Sequence, residues 1–259
     1  MVSELIKTEK RGRTLIVTIN RPEVHNALNP EMHQALSDCW DSFAADSELW
    51  VAVLTGAGSK AFSAGNDLKA TAADGFKGGL SKYGFAGLTS RFDLEKPIIA
   101  AVNGLAIGGG FETALACDFV LAAETAKFAL PEVKVGFFAS ASGVQRLSRY
   151  IGRLAAQDLI LTGRMIDATE AFRLGCVTEV LAPDQLMPRA LELAEHLCTV
   201  SPSSVKATKR ILNSMAIAEG LPKSLDYSLE VQNELAKTKD FKEGVTAFVE
   251  KRKPIWVNG

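Results

Sequence analysis

Apolar residues fall into short β-branched runs, separated by stretches with the spacing of helices. Thr14-Leu15-Ile16-Val17-Thr18-Ile19 reads as a strand, stopped by Asn20-Arg21-Pro22. Val51 to Thr55, Ile98 to Val102 and Phe119 to Ala123 read as three further buried strands. Asn29-Pro30 places an N-cap before a proline at the first helical position and predicts a helix to about Ala45. Met32, Leu36, Cys39, Trp40 and Phe43 form its apolar stripe. The strand–helix alternation implies an α/β core with crossover connections.

From about Leu159 the pattern becomes helical, with residues 167–175, 184–199, 201–217, 222–237 and 241–252 reading as helices. The expected division is a core over residues 1–200 and a helical region over 201–259. Ala70 to Gly87 is the least regular stretch, carrying Gly75, Gly78, Gly79, Gly84 and Gly87. It reads either as a cap over a ligand site or as a surface insertion. No internal repeat is visible.

Composition narrows the function classes. The chain has 259 residues, is 47% hydrophobic and has a net charge of −1. That is enough apolar material for one large domain, alone or with a helical appendage. A nucleic-acid partner would call for a basic excess, and there is none. Lys251-Arg252-Lys253 is a local basic run, read as a solvated face or as a contact for a phosphorylated ligand. The 4 cysteines (Cys39, Cys117, Cys176 and Cys198) form no CxxC pair, so neither a zinc site nor a redox motif is expected. His25, His33 and His196 lack metal-site spacing, and no G-x-S-x-G elbow occurs. No run approaches the roughly 18 apolar residues of a membrane span. The first residues show no leader pattern, so a cytoplasmic protein is expected.

Three segments carry candidate chemistry. Asn103-Gly104-Leu105-Ala106-Ile107-Gly108-Gly109-Gly110-Phe111-Glu112 puts a glycine triplet after a strand and a carboxylate just beyond it. Glycines let backbone N–H groups approach a ligand, and apolar neighbours raise a carboxyl pKa. The pattern reads as carbonyl polarisation beside a proton-transfer group; its plain alternative is tight helix–strand packing with a solvated Glu112. Ala61-Phe62-Ser63-Ala64-Gly65-Asn66-Asp67-Leu68-Lys69 presents a second Gly-containing turn after a strand. Phe128 to Gly136 contains Pro131-Glu132, a second carboxylate in an otherwise apolar stretch. Two carboxyl groups with pKa values pushed apart supply an acid and a base at neutral pH. Gly56-Ala57-Gly58-Ser59-Lys60-Ala61 matches G-x-G-x-x-A only weakly, because no long helix is expected to follow.

In combination and in order, these segments, with Lys96-Pro97 and Gly143 to Leu147, resemble the enoyl-CoA hydratase/isomerase (crotonase) superfamily, from about residue 5 to Arg252. The resemblance implies a spiral of ββα units followed by C-terminal helices that assemble trimers or hexamers. It implies an acyl-CoA substrate and no metal or redox cofactor. By resemblance, the backbone N–H groups of Asn66 and Gly109 form an oxyanion hole, and Glu112 and Glu132 match the paired glutamates of the hydratases. Isomerases of the superfamily manage with the glutamate at the Glu132 position alone, so the pair favours hydration or dehydration. Isomerisation is the nearest alternative, and a non-catalytic or RNA-binding member of the fold the more distant one. Residues 63–70, 84–89 and 108–112 look closest to the carnitinyl-CoA dehydratase branch. CoA-contacting regions carry over to Val24, Asn26, Ala27, Ala64, Lys69 and Lys251. The departure is Phe137-Phe138-Ala139-Ser140-Ala141-Ser142-Gly143, where many hydratases read like I-P-G-A-G-G shortly after the position of Gly136. Ser140 falls where a backbone N–H helps place the catalytic water, and its side chain and the two phenylalanines point to an unusual acyl group.

Overall fold

The structure is a computed structural model and describes residues 5–73, 81–218 and 220–255. Strands alternate between two sheets. The larger sheet has the order β1 (Ile6–Arg11), β2 (Thr14–Ile19), β3 (Val51–Gly56), β5 (Ile98–Val102), β7 (Phe119–Ala123) and β10 (Glu179–Leu181). The smaller has the order β4 (Ala61–Ser63), β6 (Leu105–Ile107), β8 (Lys127–Ala129) and β9 (Ile166–Asp167). Pairing is parallel from β2 to β10 and from β4 to β8, and antiparallel for β1–β2 and β8–β9. Each turn of chain thus gives one strand to the large sheet and the next to the small one, which is a spiral of ββα units.

The predicted helix is α1 (Pro30–Ala45), and Asn29 caps it by accepting from the Met32 N–H at 3.1 Å. The helices that follow are α2 (Leu68–Ala73), α3 (Gly109–Leu115), α4 (Gly143–Ile151), α5 (Arg153–Thr162), α6 (Ala168–Leu174), α7 (Leu186–Thr199), α8 (Pro202–Ala218), α9 (Leu221–Leu235) and α10 (Lys239–Val249). Alternation decides which face each strand buries. Val51, Val53, Ile99 and Ala101 pack with Leu186, Ala190 and Ala194 of α7. Their neighbours Ala52, Leu54, Ile98 and Ala100 join the main core with Trp40 and Phe43 of α1. Both faces of the sheet are therefore covered, as a parallel sheet requires.

The irregular stretch from Ala70 is shorter than the sequence suggests. Residues 70–73 continue α2, residues 85–87 form a 3-10 turn packed on α1, and residues 74–80, with Gly75, Gly78 and Gly79, lie outside the described residues. The weak dinucleotide motif opens no helix: after β3 the chain turns directly into β4. The C-terminal helices fold back on the core. Lys209 of α8 pairs with Asp118 at 2.7 Å, and α10 packs against both α2 and the 3-10 turn Glu132–Val135.

Candidate active site

Three successive turns of the spiral deliver the site. Asn66 follows β4, Gly109 follows β6 and Glu132 follows β8, and these three strands are parallel neighbours. Their equivalent ends therefore meet at one edge of the small sheet. Leu28 forms a parallel bridge with Asn66; its N–H donates to Gly65 O and its carbonyl accepts from Asp67 N–H, both at 2.8 Å. A Cβ on Gly65 would come within 3.0 Å of Gly109 N, so the Asn66 and Gly109 segments lie side by side.

Both carboxylates converge on this edge. Glu112 lies in the first turn of α3 and is buried at 3% exposure. Gly143 N–H donates to its Oε1 at 2.7 Å, and the Ala141 N–H also supports the ionised form. Burial pushes its pKa well above the usual carboxylate range; the charge of Glu132 adds to that, while the two N–H donors and Arg146 oppose it. Burial also pushes Glu132 up, to about 7. Its Oε2 has no hydrogen-bond partner among the described residues. Two glycines leave room for the pair. A Cβ on Gly108 would stand 2.9 Å from Glu132 Oε1, and one on Gly143 would stand 2.8 Å from Glu112 Oε1.

Arg146 of α4 is a supporting residue that the sequence reading did not single out. It is buried, donates to Thr89 O at 2.6 Å, and also donates to Ser142 Oγ. Its charge acts on Glu112 through the core. Its only sequence signal is its place in the Gly143–Leu147 motif.

The remaining candidates separate. Ser140 is half-buried in the turn that leads to α4, near the Ala141 donor of Glu112. Phe137 and Phe138 stack with centroids 5.5 Å apart, and Phe137 also meets Phe241 of α10 at 5.6 Å. Val24 is 37% exposed, Ala27 is buried, Ala64 is half-buried and Lys69 is exposed on α2. Lys251 is exposed just past α10. Asn26 has a fully buried side chain turned to the fold. It accepts from Arg21 N–H at 3.0 Å and donates to Ala57 O at 3.0 Å and Ala61 O at 2.7 Å. It pins the turn between β3 and β4, giving partners to carbonyls that burial would make costly to leave unpaired.

Sequence and structure comparisons agree with this architecture. The enoyl-CoA hydratase/isomerase family model matches residues 9–259. A carnitinyl-CoA dehydratase from Salmonella arizonae is 42% identical, over 98% of this chain and 99% of that one. The crystal structure of a carnitinyl-CoA hydratase from Mycobacterium avium superposes with a TM-score of 0.90 at 39% identity, covering 98% of both chains. An enoyl-CoA hydratase/isomerase from Pseudoalteromonas atlantica superposes with a TM-score of 0.88 at 36% identity, covering 98% of this chain and 100% of that one. The chain belongs to the enoyl-CoA hydratase/isomerase family and has its crotonase fold. It is an acyl-CoA hydratase/dehydratase-type lyase.

Proposed function

We propose that this lyase adds water to, or removes it from, an α,β-unsaturated acyl-CoA with Glu112 and Glu132 as its proton-transfer pair. The observation that carries the reading is the convergence of a buried and a half-buried carboxyl, both shifted upward, beside the Asn66 and Gly109 backbone. The two N–H groups would receive the thioester oxygen as it becomes an enolate. We assign Glu112 as the base, because Gly143, Ala141 and Arg146 all favour its charged form against the upward push of burial and of the Glu132 charge, and Glu132 as the acid. In hydration Glu112 takes a proton from water, the oxygen bonds to Cβ, and Glu132 gives its proton to Cα. Dehydration reverses each step. Ser140 borders the water position and, with Phe137 and Phe138, tunes the acyl group.

The substrate class we favour is a carnitinyl-type thioester. The support is the likeness to proteins named carnitinyl-CoA dehydratase and the Ser140 departure. The CoA moiety would run past Val24, Ala27 and Ala64 toward Lys69 and the C-terminal basic run at Lys251. The packing of α10 on α2, which bears Lys69, supports that course. No separate cofactor is needed, since CoA arrives as part of the substrate. Exposed Ile211, Leu212, Tyr227 and Leu229 support assembly through residues 201–259 into a homotrimer or homohexamer. Among the described residues no helix is long and apolar enough to cross a membrane. The four cysteines are free thiols, which supports a reducing, cytoplasmic site.

The test is the ultraviolet absorbance of the conjugated enoyl thioester, followed with crotonyl-CoA and crotonobetainyl-CoA. Turnover of the second in preference to the first supports the reading. Binding of both without any change in absorbance would refute it.

A further inference from the structure

The turn at residues 84–87 is strained. Gly84, Ala86 and Gly87 all have left-handed φ values, at 77°, 53° and 67°. Ala86 has no conformational licence for this and is fully buried, so its surroundings must impose it. Helix α1 does so from two positions. Trp40 Nε1 donates to Ala86 O at 3.0 Å, and Ala86 N–H donates to His33 Nδ1 at 3.1 Å.

His33 does more than hold this turn. Its ring meets Phe85 edge-on at a centroid distance of 4.4 Å. Phe85 in turn lies flat against Gly109, where an added Cβ would come within 2.4 Å of the ring. Because Nδ1 accepts a hydrogen bond, the proton of the neutral imidazole is assigned to Nε2. Nε2 makes no hydrogen bond among the described residues. His33 is 3% exposed. Burial lowers its pKa to about 4, so it stays neutral at physiological pH. A leucine would fill the same space without burying an imidazole N–H, which is costly to leave poorly bonded.

We propose that His33 is a positioning residue of the oxyanion hole, tying the Gly109 arm in place through the Phe85–Ala86 turn. The inference rests on the reading of Asn66 and Gly109 as the pair that binds the thioester carbonyl. His33 touches no reacting atom; it fixes where the Gly109 donor stands, on which transition-state stabilisation depends.

The test uses the full-length protein and two readouts. In a Glu132→Gln background, which slows turnover enough to observe the bound thioester, a carbonyl polarised by two N–H donors shifts the absorbance of bound crotonobetainyl-CoA or crotonyl-CoA to longer wavelength. Adding His33→Leu is expected to leave binding within about threefold and to remove most of that shift. In the otherwise wild-type protein, His33→Leu lowers kcat by about 10- to 100-fold with KM within about threefold. His33→Asn, whose Oδ1 can accept from Ala86 N–H, recovers kcat to within about fivefold of wild type. Leu36→Val, a core change on the same helix, lowers stability and keeps both shift and kcat. His33→Leu retaining the shift and kcat would overturn the inference, as would Leu36→Val losing both in proportion. A Glu132→Gln protein that binds the thioester with no shift at all would bring down the carbonyl-binding reading itself, and this inference with it.

Discussion

Glu112 rises from the first turn of a helix into full burial, with Gly143 N–H on one oxygen and Ala141 and Arg146 acting on the same group. Glu132 lies on a half-buried 3-10 turn, with an oxygen that has no partner among the described residues. Desolvation lifts both. The difference lies in what surrounds each charge. Two backbone donors and Arg146 work against the upward shift of Glu112, whereas one backbone hydrogen bond does so at Glu132. Burial alone would make two similar weak acids; in the proposed mechanism, that asymmetry of donors is what would separate a base from an acid.

The largest effect that would break this contrast is loss of either carboxylate. Glu112→Gln and Glu132→Gln are each expected to lower kcat by about 10²- to 10⁴-fold, and the double variant by little more than either single one. Steady-state kinetics on the preferred thioester check this; independent, multiplying losses would show that the two groups do not act as a unit. Displacing the carboxylates without removing them sharpens the contrast. Gly143→Ala and Gly108→Ala would force Cβ contacts of 2.8 and 2.9 Å on Glu112 and Glu132 respectively, and kcat is expected to fall by about 10- to 100-fold in each. Only Gly143→Ala should be non-additive with Glu112→Gln, and only Gly108→Ala with Glu132→Gln.

A smaller effect belongs to the water position. Ser140→Gly is expected to raise kcat/KM for crotonyl-CoA by roughly threefold to tenfold, while crotonobetainyl-CoA gains nothing. Competition between the two thioesters reads this directly. The smallest effect concerns stability. Below the ordinary glutamate pKa of 4.5, Glu132 is protonated in folded and unfolded chains alike, and its burial costs nothing. Between there and about 7 the unfolded chain releases a proton that the folded one keeps, so stability falls as pH rises; above 7 the penalty is complete. Glu132→Gln should therefore leave Tm unchanged near pH 4 and stabilise the fold by about 1–3 kcal/mol above pH 7.5. Thermal melts across that range check the sign.

The large sheet was legible because its central strands are continuous β-branched runs, and α1 because Asn29-Pro30 marks its start. The strands that aim the site were not. Ala61-Phe62-Ser63, Leu105-Ala106-Ile107 and Lys127-Phe128-Ala129 are too short to show a period. β1, IKTEKR, escaped notice because it is an exposed edge strand whose charges hide its type. The two glutamates and the Asn66 and Gly109 segments were legible through motif and resemblance, and the geometry brings them to one edge. The structural task of Asn26 was hidden because a buried amide serving loop carbonyls has the same sequence signature as one facing a ligand. His33 looks isolated in sequence, and only the approach of α1 to the 84–87 turn shows what it touches.

We propose that both glutamates serve one addition of water. The most direct test is isotope incorporation during turnover of an enoyl thioester in ²H₂O enriched in ¹⁸O. The wild-type protein should place one ²H at Cα and one ¹⁸O at Cβ in each product, and Glu112→Gln should suppress both together. Deuterium entering without ¹⁸O, in wild type and Glu112→Gln alike, would show Glu132 moving a double bond by itself and would contradict the two-glutamate account.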